Sequence, residues 1–132
     1  MARYVIDLEA ALRLAKEGGS WSPDHTLLAP TLLRSQVLDA LFRRVRSGEM
    51  TEAEGLALNA EFGRLKIRYL GDAVLRRRAW AVAEQAGMSS TFDAECIALT
   101  LLQGDALVTE DASLSKNASE FVQVKPYAAI LS

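Results

Sequence analysis

Apolar residues recur along this chain in two rhythms. Short runs of three to five, each closed by a polar or turn residue, alternate with longer stretches in which apolar positions return every three or four residues. Arg3 to Ile6 reads as a short buried strand ending at Asp7. Leu8 to Lys16 then carries helical spacing at Leu8, Ala11, Leu12 and Ala15, and Gly18-Gly19 stops it. Residues 18 to 24 form the most loop-like stretch, before a second strand over Thr26 to Ala29 that Pro30 closes. Thr31 to Arg46 is amphipathic, with Leu33, Val37, Ala40, Leu41 and Val45 on one face and Gly48 at its end. Thr51-Glu52-Ala53-Glu54 is a capping-box sequence and opens a helix that runs to about Arg64. Lys66 to Leu70 is a third strand, and Asp72 caps a helix through Ala86 that Gly87 ends. Ser89 to Phe92 lead into a helix from Asp93 to Leu102, followed by a strand over Asp105 to Thr109. A short helix after Asp111 and a last strand over Phe121 to Val124 complete the order.

Strands and helices alternate throughout. That pattern predicts an α/β fold with a central parallel sheet of about four to five strands and right-handed crossovers, in one domain spanning residues 1–132. Half of the residues are apolar and 24% are charged, which excludes a chain too polar to bury a core. No apolar run approaches the roughly 18 to 20 residues of a membrane span. Asp7 comes too early for a signal peptide, and cytoplasmic placement is the expectation. The single cysteine, Cys96, has no disulfide partner, and the single histidine, His25, does not make a zinc site with it. Cys96 lies in an apolar helix and reads as a buried, inert thiol; Trp80 reads as core.

The net charge is −2, so the chain is not basic overall, yet Arg34, Arg43, Arg44 and Arg46 cluster in one segment and Arg76 to Arg78 in another. The acids that matter most lie where a parallel sheet gathers chemistry, beyond the C-terminal ends of its strands. Asp7 ends the first strand, Asp111 follows a later one, and Asp93 sits in the first turn of a helix. Singly, each has an ordinary explanation: Asp7 and Asp111 as N-caps, Asp93 as a complement to its helix dipole. Jointly, carboxylates at one sheet edge are the oxygen ligands that a hard divalent cation takes, and a cation would relieve their mutual repulsion.

The order Val5-Ile6-Asp7, then Ala29-Pro30 before a long helix, then Thr91-Phe92-Asp93-Ala94-Glu95 and Leu107-Val108-Thr109-Glu110-Asp111, resembles the PIN-domain ribonucleases, and among them the VapC-type toxins of toxin–antitoxin pairs. The resemblance spans essentially the whole chain, and its two C-terminal motifs are the more specific part. It implies a three-layer α/β/α fold and Mg²⁺- or Mn²⁺-dependent endonucleolytic cleavage of RNA, leaving a 5′-phosphate and a 3′-hydroxyl. It also implies Asp7, Asp93 and Asp111 as metal ligands, a cognate antitoxin, and a homodimer for which Leu38, Phe42 and Leu58 are candidate contacts. Thr109 would orient Asp7 or Asp111, and Arg43, Arg44 and Arg46 would meet RNA phosphates.

One position departs from the family's pattern. The helix after Ala29-Pro30 carries Gln36 where a glutamate is expected, with Asp39 one turn later on the same helix face. Gln36 and Asp39 therefore join the catalytic candidates, Asp39 as a replacement carboxylate. The same departure motivates the alternative of a catalytically weakened PIN-like module that binds RNA or protein. A phosphoacceptor receiver domain is a weaker alternative, suggested by Asp7 to Glu9 and Lys125-Pro126, because no strand-ending aspartate lies mid-chain.

Overall fold

The computed structural model describes residues 1–132. The strands are β1 (Ala2–Ile6), β2 (His25–Pro30), β3 (Arg68–Leu70), β4 (Ala106–Val108) and β5 (Val124–Lys125). The helices are α1 (Leu8–Lys16), α2 (Leu32–Arg46), α3 (Glu52–Arg64), α4 (Ala73–Ala86), α5 (Phe92–Gln103) and α6 (Ala112–Ala118), with a 3₁₀ turn at Tyr127–Leu131. One five-stranded sheet has the order β3-β2-β1-β4-β5, and every neighbouring pair is parallel. The fold is PIN-like, as the sequence resemblance implied. A receiver domain places its strands in the order 2-1-3-4-5, so that alternative falls.

β1 is central because both of its faces and both of its edges are used. Its residues alternate between faces, and from Tyr4 to Ile6 both faces are buried. Tyr4 and Ile6 join Leu27, Ala29, Ala106 and Val108 in a core beneath α1, α2 and α3. Val5 joins Leu28 and Leu107 in a second core beneath α4, α5 and α6. Each fully buried Leu, Ile or Val contributes about 1.5–3 kcal/mol of transfer free energy, so continuous apolar strands covered on both sides are what hold the sheet edge in place. Across the sheet, Tyr4 is level with Leu27 on one side and Ala106 on the other, and Ile6 is level with Val108. β1 and β4 therefore end side by side.

Several boundaries differ from the sequence reading for identifiable reasons. Phe121 and Val122 do not begin the last strand: both amides donate to the Ala118 carbonyl at 2.9 Å and close the end of α6. Lys66 and Ile67 precede β3 in a turn closed by the Ile67 amide on the Leu65 carbonyl. Trp80 is not core but 68% exposed. Leu75, Ala79, Val82 and Ala83 form the buried stripe of α4, and Trp80 is turned away from it. β2 starts one residue earlier than the sequence pattern predicts, at His25, whose Nδ1 accepts the Ala2 amide at 3.2 Å at the N-terminal end of the strands. No helix is long and apolar enough to cross a membrane.

Candidate metal centre

The chain winds from β1 to β2 and β3 in one direction and returns to β4 and β5 in the other, so the topological switch point lies between β1 and β4. Asp7 leaves the end of β1 with extended backbone (φ −94°, ψ −176°) and is the N-cap of α1. The residue as a whole is only 6% exposed. Oδ1 accepts the Ala10 amide at 3.0 Å and Oδ2 accepts the Thr109 hydroxyl at 2.6 Å. Thr109 lies just beyond β4, itself buried, and its Oγ1 also accepts the Asp111 amide at 3.1 Å. Asp111 then caps α6, its Oδ2 accepting the Leu114 amide at 2.8 Å. For Asp7 and Asp111 the capping role and the site role are thus compatible, since a cap engages one lone pair of one oxygen.

Asp93 differs from the other two. It sits in the first turn of α5, where the hydroxyl of Ser90 accepts the Phe92 amide, and its own carboxylate takes part in no hydrogen bond or ion pair within the protein. Asp93 is exposed as a residue, yet partial burial of its carboxyl pushes it above its ordinary range, and the nearby charge of Asp111 pushes it the same way. Asp7 is raised as well, chiefly by burial; the Thr109 and Ala10 hydrogen bonds oppose this, while Asp111 and Glu9 add to it. Cys96, one turn past Asp93, is fully buried and its thiol is pushed up by that burial and by the charges of both Asp7 and Asp93, so it is inert as the sequence suggested. The three aspartates therefore share one electrostatic neighbourhood, and no lysine or arginine forms a salt bridge with any of them.

No three ligating side chains stand within reach of a single ion. The donor set nonetheless fits a hard cation that takes one or two carboxylates and keeps several waters, as Mg²⁺ does. A buried carboxylate with acidic neighbours and no internal counter-charge is the electrostatic condition such an ion satisfies.

Gln36 is half-buried on α2 and lines a cleft of about 470 Å³ together with Phe92, Asp93, Ser113 and Asn117. Asp39 lies outside this cleft: its carboxylate is exposed and paired with Arg43 at 2.9 Å, one turn along the helix. Gln36, not Asp39, thus shares the cavity with Asp93. Arg44 bonds Glu9 at 2.9 Å, and Arg46 borders a separate groove between α2 and α3. Ser113 and Asn117 did not stand out in the sequence. Their i, i+4 spacing along the helix opened by Asp111, beside the buried Leu114 and Ala118, is the signal that identifies that face.

No family model and no curated protein matches this sequence. Solved structures do. The chain is similar to PAE2754 from Pyrobaculum aerophilum at 22% identity and a TM-score of 0.75, covering 98% of this chain and 93% of that one. It is also similar to VapBC2 from Rickettsia felis, solved bound to a DNA fragment from their promoter, at 11% identity and a TM-score of 0.63, covering 94% and 98% of the two chains. A third likeness is to VapBC-1 from nontypeable Haemophilus influenzae, at 14% identity and a TM-score of 0.62, covering 96% and 98%. At these identities the likeness establishes the shared fold.

Proposed function

We propose that this chain is a Mg²⁺- or Mn²⁺-dependent endoribonuclease, the toxin of a cytoplasmic toxin–antitoxin pair. The observation that carries the reading is the buried Asp7 carboxylate, without a cationic partner, at the switch point of a PIN-like sheet and in the field of Asp111, whose charge also acts on Asp93. The resemblance of the motifs around these residues and the fold shared with VapBC proteins support the same assignment.

Asp7 and Asp93 would be the principal ligands, with Asp111 holding a second or weaker ion, directly or through water. When bound, such a cation supplies an activated water and charge stabilisation at the phosphate and at the departing 3′ oxygen. The protein's own contribution is positional. Thr109 fixes one Asp7 oxygen and the Asp111 amide with a single hydroxyl, so the ends of β1 and β4 hold their carboxylates in a set relation. Gln36 presents an amide rather than a charge to the cleft beside Asp93. Arg43 and Arg44 are engaged with Asp39 and Glu9 in exposed pairs, which are weak and which an RNA phosphate can replace.

An antitoxin segment would take the groove of about 330 Å³ between α2 and α3, where Leu38 and Phe42 face Leu56 across an apolar floor. Those side chains are 55%, 62% and 62% exposed, whereas Leu58 packs against the core. A homodimer is part of the proposal, checked by sedimentation of the isolated chain. The central test is cleavage of an RNA pool by purified protein with Mg²⁺ or Mn²⁺, abolished by EDTA and by Asp7→Asn or Asp93→Asn. Absence of cleavage with either metal would leave the second reading, a PIN-like module that binds without cutting, which the amide of Gln36 at an expected carboxylate favours.

A further inference from the structure

The groove between α2 and α3 continues past Leu38 toward β3, into a cavity of about 350 Å³; Leu38 and Asn59 line both. Arg34, Leu38 and Phe42 stand four residues apart and form one stripe along α2. From Arg34 to Arg46 the groove follows α2 for about 18 Å, by the helical rise. Phe62, Leu65 and Ile67 give the part near β3 apolar walls, and Arg34 is its only charged lining residue.

Arg34 is held without a carboxylate. Its guanidinium lies 4.4 Å from the centre of the Tyr69 ring and forms no salt bridge, whereas Arg13, Arg43, Arg44 and Arg64 each pair with an acid. A guanidinium stacked on a ring keeps its N–H donors at its edge, where a planar anion can meet them. Gly63, in the last turn of α3, lines the same cavity. No atom lies within 4 Å of where its Cβ would stand, and its φ is not positive, so neither packing nor backbone conformation calls for glycine there. The missing side chain keeps that wall of the groove open.

We propose that the α2–α3 groove takes an amphipathic helical segment of a partner protein, and that an Asp or Glu of this segment, beyond its apolar stripe, pairs with Arg34 on its Tyr69 support. The inference rests on the reading of this groove as the seat of the antitoxin segment, and it adds the chemistry by which that segment is recognised. A cleft between two packed helices, with exposed apolar anchors one turn apart, is a surface that the apolar face of a third helix fills. The carboxylate sets the segment's direction, because Arg46 and Glu52 at the opposite end present both signs and favour neither. A nucleic-acid strand fits less well. This end shares no lining residue with the cleft of Asp93, and its walls suit an aliphatic side chain rather than a phosphate.

Wild type, Arg34→Gln and Phe42→Glu, each as the full chain, are used to select from a displayed library of helical peptides of about twelve residues, the length that spans the groove. Leucines are fixed at i, i+4 and i+7 and the other positions are random. Wild type is expected to recover peptides that Phe42→Glu does not hold, enriched in Asp or Glu at one end of the leucine stripe, and Arg34→Gln is expected to lose that enrichment. Acids favoured at helix N-termini in general occur in both selections and cancel. For a recovered peptide, replacing its acid by the amide should weaken binding to wild type roughly tenfold and to Arg34→Gln hardly at all, with the difference shrinking at high salt. Arg34→Lys, which keeps the charge without the stacked fork, should fall between the two. Peptides that need Phe42 but have the same composition on wild type and Arg34→Gln would overturn the pairing and leave the groove as a docking site. Recovery of no peptide that needs Phe42 would overturn both. Weaker binding of an oligoribonucleotide to Arg34→Gln in EDTA, with peptide selection unaltered, would overturn the pairing in favour of an RNA phosphate.

Discussion

Asp7 serves the fold and the site at once, and paired substitutions separate the two. Asp7→Asn removes the charge but keeps an oxygen that accepts the Ala10 amide, since asparagine caps about as well as aspartate. Its amide N–H can donate to Thr109 Oγ1, reversing the polarity of the existing bond. Asp7→Ala loses both. The lost cap costs about 1 kcal/mol and the lost hydrogen bond about another, so alanine should fall roughly 2 kcal/mol below asparagine. At this chain length that difference corresponds to roughly 6–10 °C in Tm. Wild type should differ from asparagine in a pH-dependent way. Burial raises the folded-state pKa of Asp7, so the folded protein releases this proton later than the unfolded chain. Stability from this group is complete below the ordinary carboxylate pKa and is lost as pH rises through the folded value. Without metal at pH 7, Asp7→Asn should therefore melt at or above wild type, and the gap should close in acid. Adding Mn²⁺ should raise the Tm of wild type alone, because only a native state that binds the ion gains from it. Thermal unfolding by circular dichroism, with and without EDTA, reads all three comparisons. Equal Tm values for the alanine and asparagine proteins would refute the dual role of Asp7, and a Mn²⁺ response that persists in Asp7→Asn would refute the ligand assignment.

Thr109→Val should cost about 1–3 kcal/mol in urea unfolding and reduce cleavage by roughly 10- to 100-fold, whereas Thr109→Ser retains both hydrogen bonds and most activity. Gln36→Glu adds a carboxylate to the cleft of Asp93 and should lower the Mn²⁺ concentration for half-maximal cleavage by about an order of magnitude, read from a metal titration of the initial rate. Thr51→Ala removes the hydroxyl that accepts the Glu54 amide at 3.1 Å; it should cost about 1 kcal/mol of stability and leave cleavage unchanged.

The strand–helix alternation and the acids at the strand ends were legible in the sequence because both follow from local pattern. Buried parallel strands read as apolar runs, and Asp7 and Asp111 terminate such runs. Trp80 was misread because a single tryptophan in a helix is placed by the whole buried stripe rather than by its own hydrophobicity. Leu75, Ala79, Val82 and Ala83 define that stripe and leave Trp80 outside. The β5 boundary was misread because Phe121 and Val122 are apolar and β-prone, yet the Ala118 carbonyl at the end of α6 captures both amides. The relation of Gln36 to Asp39 was out of reach of spacing alone. Both lie on one helix face by count, and only the packing of α2 against its neighbours decides that one turns to the cleft and the other to solvent.

The hydroxyl contact between Thr109 and Asp7 spans 102 positions of the chain. During synthesis the first of these residues leaves the ribosome long before the second, and until β4 emerges β1 lacks the neighbour that aligns its final carboxylate. On the proposed function, a copy that stops short of β4 is consequently expected to leave RNA uncut, because Thr109 is not yet present to hold the Asp7 carboxylate.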